Sequence, residues 1–369
     1  MIEEMSEIKH PQLSLLIKPA SSSCNLKCKY CFYVNEAISR KTFSNGIMTE
    51  DMMDILVKRI HEYLIETGTL NISFQGGEPT IAGLTWFENL FTKLEQSSKL
   101  QIHYSIQTNG TMLDDQWFSF LAKHRVLVGI SLDGYQQNMD LFRFDTNHQS
   151  VYFKVLRACD LLHKNKIDFN ILTVITRQLS KHGKSLYAFY KEHHFDYVQL
   201  IPCLPGLDGR DDGISLRPNE YLMFYRDFFA AWMKEIRKSG YVMNVNLFEN
   251  IMGLLQGYPP YQCGMTGHCT NQMVIESNGN VYPCDFYCLD EYCIGNLAND
   301  SFSDLFHSKA ASVFINDACF IKKPCASCMY QPVCHGGCRR QNVCYLDDDQ
   351  CTYQQLLDEI IPECMHMMR

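Results

Sequence analysis

The stretch SSSCNLKCKYCFY carries three thiols, Cys24, Cys28 and Cys31, separated by three and then two residues. Thiolates at such spacing bind soft metals; four would close every corner of an iron–sulfide cubane, whereas three leave one iron open. An open position is what a catalytic centre keeps, because a substrate or cofactor must bind there. On these residues alone, a zinc site with a distant fourth ligand or three ordinary buried thiols are the alternatives. A second group lies towards the C-terminus: Cys263, Cys269 and Cys284, then Cys325, Cys328, Cys334, Cys338 and Cys351. Eight thiols suffice for two four-cysteine sites, of iron–sulfur clusters or of zinc. Asp285 directly follows Cys284. A carboxylate held beside a metal ligand can take a proton from a bound substrate, and the alternative is a turn aspartate satisfying backbone amides. The other seven cysteines, Cys159, Cys203, Cys288, Cys293, Cys319, Cys344 and Cys364, read for the most part as small apolar residues.

Composition narrows what the thiols are for. At 369 residues the chain can bury a large core without covalent staples, so 18 cysteines are not needed for stability. The opening MIEEMSEIKH is acidic and polar, without the apolar run of a secretion signal, and no membrane-length apolar stretch follows. We therefore expect a cytoplasmic protein that does not enter a membrane. In a reducing compartment, dense cysteines point to metal or redox chemistry ahead of disulfides. A net charge of −8 with no long Lys/Arg run argues against a nucleic-acid surface. Small-molecule or protein substrates fit better.

The elements that must position these residues alternate. Apolar, β-rich runs at 13–19, 71–77, 102–110, 127–134, 168–176 and 196–203 predict six strands. Between them, stretches such as TEDMMDILVKRIHEYLIETG (49–68) and VYFKVLRACDLLHKNK (151–166) place apolar residues three and four apart, as helices covering a parallel sheet do. Six βα units fall short of the eight that close a TIM barrel, so the expected fold class is α/β, an open, partial (β/α)6 TIM-like barrel. The thiol triplet, Gly76-Gly77-Glu78, QTNG (107–110), SLDG (131–134) and PCL (202–204) each follow a predicted strand. That is the end where parallel α/β folds build their sites. A helix is predicted near 217–238, and beyond about 258 the texture shifts to short strands and crowded cysteines, with a hairpin at 273–283 turning on Asn278-Gly279. The expected domains are 1–235 for the barrel and 236–369 for a linker helix and a small cysteine-rich unit.

With its neighbours, the triplet resembles the cluster loop of the radical S-adenosylmethionine (SAM) superfamily. Tyr30 precedes the last thiol, and Gly76, Gly77 and Glu78 end the second strand as that superfamily's GGE motif does. Glycines let the backbone approach a ligand closely, and peptide groups there, or the Glu78 carboxylate, can bind an ammonium. The resemblance implies a [4Fe-4S] cluster on Cys24, Cys28 and Cys31 whose open iron is chelated by SAM, and reductive cleavage to a 5'-deoxyadenosyl radical. It further implies Tyr30 and Leu204 near adenine, Gly77 near the methionyl amine, Ser131 near the ribose and Arg143 on the carboxylate. The later cysteines resemble the SPASM domain, whose ligands interleave. Cys263, Cys269, Cys284 and Cys338 would hold one auxiliary [4Fe-4S] cluster, and Cys325, Cys328, Cys334 and Cys351 the other.

Nearly end to end, from LSLLIKPASSSCNLKCKYCFY through SFQGGEPTIAGL, SIQTNGT and LVGISLDG to CGMTGHCT, ESNGNVYPCDFY and GGCRR, the chain resembles the anaerobic sulfatase-maturating enzymes of the SPASM branch. That resemblance implies oxidation of a Cys or Ser in an unfolded or nascent sulfatase, within a CxPxR or SxPxR segment, to Cα-formylglycine. The radical would remove a Cβ hydrogen, Asp285 would take the thiol or hydroxyl proton, and an auxiliary cluster would accept the second electron. Ferredoxin or flavodoxin is the expected reductant. The sequence alone does not choose between Cys and Ser. A maturase that crosslinks, epimerises or oxidises another ribosomal peptide is the alternative, and a non-catalytic iron–sulfur carrier or zinc scaffold is a third reading. One departure bears on the substrate. Relatives usually have a Pro after SxDG and a His a few residues on, where this chain has Tyr135 and Asn138 to Asp140, in a loop expected near the substrate mouth.

Overall fold

The computed structural model describes residues 9–96, 99–317 and 322–368; the opening MIEEMSEI and Cys319 lie outside the described residues. The chain begins with β1 (His10–Lys18), and the thiol loop leads into α1 (Phe32–Arg40). Then follow α2 (Glu50–Tyr63), β2 (Leu64–Phe74), α3 (Leu84–Gln96), β3 (Gln101–Thr108), α4 (Asp115–Lys123) and β4 (Leu127–Ser131). After α5 (Gln136–Phe142) and α6 (Tyr152–Lys164) come β5 (Phe169–Ile175), α7 (Gly183–Glu192), β6 (Tyr197–Pro202) and the long α8 (Pro218–Ser239). The remainder holds β7 (Asn244–Val245), α9 (Asn246–Leu255), β8 (Val274–Glu276), β9 (Asn280–Tyr282), β10 (Gly295–Asn296), α10 (Phe302–Phe306), α11 (Lys309–Asp317), α12 (Gln331–Cys334) and α13 (Thr352–Met367).

Local chemistry explains the helix starts. The Thr49 side chain accepts from Met52 N–H, and Glu50 and Asp51 place negative charge in the first turn of α2, whose Met53, Leu56 and Ile60 face the core. The sequence pattern overran this helix. Residues 64–68 were expected to continue it, but β2 begins at Leu64, where pairing with β1 from His10 onward outweighs the helical spacing.

All ten strands form one sheet in the order β10-β9-β8-β1-β2-β3-β4-β5-β6-β7. Strands β1 to β6 are parallel neighbours. The end strands, β10 and β7, do not pair with each other, so the barrel is partial, as expected. The cysteine-rich part is not detached from it, because β8 lies parallel against the free side of β1, with Leu16, Ile17 and Lys18 opposite Val274, Ile275 and Glu276. The expected hairpin is present as β8–β9. The expected division at 235/236 falls inside α8, near its C-terminal end. That helix buries Phe224, Phe228 and Trp232 and packs against α7 and α13, binding the barrel to the end of the chain. No described helix is long and apolar enough to cross a membrane.

Ile17 is fully buried between β2 and β8. Ile17→Ala is expected to cost about 2–5 kcal/mol, read as a lowered thermal midpoint under anaerobic conditions. An unchanged midpoint would contradict the central place of β1.

Candidate active site

One cavity of about 560 Å³ lies where the strands end, and it gathers the predicted site residues: Cys24, Cys28, Tyr30 and Cys31 from the thiol loop, Gly76, Gly77 and Glu78, then Ser131, Arg143, Leu204 and Asp285. The thiol loop is fastened to the end of β2 by backbone. Gly77 N–H donates to the Ser21 carbonyl at 3.0 Å, and Glu78 N–H to that of Ser23 at 2.8 Å. Only glycine allows this approach: Gly76 sits at φ +116°, and a Cβ on Gly77 would run into the Ser23 carbonyl. Glu78 is buried, and its Oε1 accepts from Thr80 N–H, Thr80 Oγ1 and Thr108 Oγ1, while Oε2 accepts from Asn109 N–H at 2.7 Å. The carboxylate therefore locks the ends of β2 and β3 together, with Oε2 the less occupied oxygen.

A second tie runs from the other wall. Tyr30 Oη donates to Asp133 Oδ2, Arg143 Nη2 donates to Tyr30 Oη at 2.7 Å, and Arg143 Nε lies 3.4 Å from Asp133 Oδ2. Asp133 Oδ1 accepts from Val174 N–H at 3.0 Å. One buried aspartate thus joins β4 and β5 to the loop that carries the thiols.

Asp285 closes the cavity on the side of β8 and β9. Its Oδ2 accepts from Tyr33 Oη at 2.7 Å and Gln75 Nε2 at 3.0 Å, and its Oδ1 faces Lys18 Nζ as an ion pair at 3.1 Å. Among the described residues no hydrogen bond reaches Oδ1, which lies buried against Lys18. Lys18 is fully buried; burial works against its charge, but Asp285, Cys288 and Glu36 outweigh it and raise its pKa well above the ordinary value. Sequence reasoning missed Lys18, Tyr33 and Gln75. Signals were present: a lysine ending the apolar run LSLLIK, and a glutamine directly before Gly76 on the same strand end.

The eight later thiols lie in two groups of neighbours. Cys263 and Cys338 line the main cavity, Cys284 is within electrostatic reach of both, and Cys269 is within reach of Cys263. Cys325, Cys328, Cys334 and Cys351 line a small cavity of their own. Every described cysteine is a free thiol. Among the described residues no three His, Cys, Asp or Glu side chains close on a point suited to a single metal ion. Cys263 and Cys338, and the four thiols of the small cavity, face open space as donors wrapped around a cluster do, while Cys269 and Cys284 line neither cavity. Burial raises the thiols of Cys24 to about 12 and of Cys28, Cys263 and Cys334 to about 11. Burial also raises Cys31, and the N–H groups of Val34 and Tyr33 at the start of α1 oppose it. These five thiols must therefore release a proton when they bind iron.

Residues 135–140 do not line the cavity. They begin α5, where Asn138 Nδ2 donates to the Asp133 carbonyl at 2.7 Å and Asp140 accepts from Ser150 Oγ; of this loop, Arg143 is what lines the cavity. The polar turn buttresses the Asp133–Arg143 pair.

The Radical SAM superfamily model matches residues 19–183, and that of the SPASM iron-sulfur cluster-binding domain matches 263–329. The cysteine-type anaerobic sulfatase-maturating enzyme of Clostridium novyi is 39% identical over 332 residues, covering 89% of this chain and 88% of its own. The chain belongs to the anaerobic sulfatase-maturating enzymes. A serine-type member of the family from Bacteroides thetaiotaomicron is 27% identical over 346 residues, covering 88% and 82%. Among solved structures, that of native anSMEcpe with bound AdoMet and Cp18Cys peptide superposes with a TM-score of 0.87 at 36% identity, over 97% of this chain and 99% of that one. Streptococcus suis SuiB bound to S-adenosylmethionine, at 19% identity and a TM-score of 0.62, shares the fold, covering 89% of this chain and 73% of its own.

Gly77→Ala should push the thiol loop off the end of β2. We expect reconstituted protein to lose about a third of its iron, measured by iron and sulfide analysis with the far-ultraviolet spectrum unchanged; full iron content would show that the loop tolerates the clash.

Proposed function

We propose that this protein oxidises a cysteine in a CxPxR segment of an unfolded or nascent sulfatase to Cα-formylglycine, in the cytoplasm, with ferredoxin or flavodoxin as reductant. The observation that carries the reading is that Asp285, with Tyr33 and Gln75 on one oxygen and Lys18 against the other, lines the same cavity as Cys24, Cys28 and Cys31. Cysteine is preferred to serine as the target because the cysteine-type relative is 39% identical and the serine-type relative 27%.

In this reading Cys24, Cys28 and Cys31 hold the SAM-binding [4Fe-4S] cluster, and the two interleaved sets, Cys263/Cys269/Cys284/Cys338 and Cys325/Cys328/Cys334/Cys351, hold the auxiliary clusters. When bound, SAM and the clusters supply hydrogen-atom abstraction from the target Cβ and an acceptor for the second electron. The chain's own residues do the rest. Arg143, steadied by Asp133, would present its planar guanidinium to the SAM carboxylate. Tyr30 and Leu204 would serve adenine, Ser131 the ribose, and the Gly76-Gly77 backbone with Glu78 the methionyl ammonium. The Asp285 carboxylate takes the thiol proton, while Tyr33 and Gln75 hold it still. Hydrolysis of the resulting thioaldehyde gives the aldehyde. The working division is a radical-generating unit of 1–235 and a unit of 236–369 for the auxiliary clusters, meeting near the end of α8.

The test is anaerobic: reconstituted protein, SAM, reductant and peptides bearing CxPxR or SxPxR, with mass spectrometry for the aldehyde and for 5'-deoxyadenosine. Aldehyde is expected from the cysteine peptide, and Asp285→Asn should lower its formation by about 10²–10⁴ while deoxyadenosine persists. Deoxyadenosine without aldehyde from wild-type protein would reject the substrate.

A further inference from the structure

Behind Asp285 lies a layer of buried charge that reaches well past the residues touching the cavity. Lys18 Nζ faces three carboxylates: Asp285 Oδ1 at 3.1 Å, Glu36 Oε2 at 3.6 Å and Glu276 Oε1 at 3.9 Å. Glu276 also takes Arg40 Nη1 at 3.1 Å. Two cations thus meet three carboxylates in a place where Lys18, Glu36 and Glu276 are each no more than 2% exposed. With all five ionised, one negative charge is unmatched in a largely dry place, which favours a proton on one carboxylate.

The geometry says which. Asp285 has the shortest approach to Lys18 and two further donors, and Glu276 has Arg40. Glu36 has the longer 3.6 Å approach and one amide, Cys288 N–H at 3.3 Å. Groups facing it come from every element packed around it: Lys18 at the end of β1, Cys31 before α1, Tyr33 and Arg40 on α1, and Asp285 and Cys288 after β9. Burial raises its pKa to about 7, against the pull of Lys18 and with the help of Asp285.

We propose that Glu36 is a positioning residue for the oxidation: it carries the surplus proton of this cluster and, through Lys18, sets how much of the ammonium's charge is left to face Asp285. The inference rests on the reading of Asp285 as the base. With Glu36 neutral, Lys18 stands against Asp285 and Glu276 alone, and a proton arriving on Asp285 leaves the cluster net positive. With Glu36 ionised, the ammonium is shared three ways and the same proton brings the cluster to neutrality. Turnover therefore rises with pH as Glu36 loses its proton.

The experiment uses the reconstituted holoenzyme, a CxPxR peptide, and E36Q and E36D between pH 6 and 8.5. Wild type is expected to show kcat for aldehyde rising through about pH 7. E36Q, a neutral isostere, should lose that limb and run about tenfold slower at pH 8, with the peptide KM unchanged, and E36D should restore part of the limb. Independently of turnover, the infrared carbonyl band of a protonated carboxyl that fades between pH 6 and 8 in wild type should be missing from E36Q. A wild-type profile flat through pH 7, or an E36Q enzyme that keeps the limb or the band, overturns the proposal. Absence of aldehyde from wild type would instead sink the reading of the reaction, and the band would still decide whether Glu36 bears the proton.

Discussion

The structure depends on the pairing of β1 with strands on both sides. On one side β2 sets Ile17 opposite Phe74, and Gln75 N–H donates to the Ile17 carbonyl, which fixes where Gly76 and Gly77 begin. On the other side β8 sets Lys18 opposite Glu276, and the hairpin that follows delivers Cys284 and Asp285. Since side chains alternate between the faces of a sheet, a slip of one residue on either side would turn Lys18 away from its carboxylates. The cavity is therefore assembled from distant parts of the chain by one strand's register. That explains why the cysteine-rich unit continues the barrel sheet in place of packing on it as a separate body.

Placing a lysine at the end of that strand carries a cost. A fully buried ammonium loses several kcal/mol of hydration, and carboxylates around it repay this only when the geometry is close. Asp285 satisfies that condition, while Glu36 and Glu276 lie further off. The cluster is thus poor as a stabilising device and better explained by what it does to Asp285. The sign of its effect on folding follows. Glu36 binds its proton more tightly when folded, with a pKa near 7 against an ordinary 4.5, so the folded state holds more protons between those values and stability falls as pH rises across them. A site that favours an ionised Glu36 for turnover is least favoured by folding under those same conditions.

The fold and the thiols were legible in the sequence because their signals are local. Six apolar runs at regular intervals, Cys24/Cys28/Cys31 and Gly76-Gly77-Glu78 each declare themselves within a dozen residues. The end of α2 was misread because Leu64 and Ile65 extend its spacing, and only pairing with β1, some 50 residues earlier, makes them a strand. The charge layer was illegible for the same reason. Lys18, Glu36, Arg40, Glu276 and Asp285 span 267 positions of sequence numbering, and their meeting depends on β8 choosing the free side of β1. Likewise the tie from Asn138 to the Asp133 carbonyl, made within the 135–140 loop, has no signature in the sequence.

The two sides of the cavity are consequently built by different means. The side of the thiol loop is set by a dense net of contacts: Gly77 and Glu78 N–H groups on Ser21 and Ser23, four donors on Glu78, and a single aspartate holding Tyr30 and Arg143. Such a net leaves little room to adjust. The Asp285 side is set by side-chain charge, with Lys18 divided among carboxylates that compete for it. A change there moves charge without moving the backbone. Radical generation is thereby held constant by geometry, while the group that meets the peptide remains open to tuning by residues that never touch it.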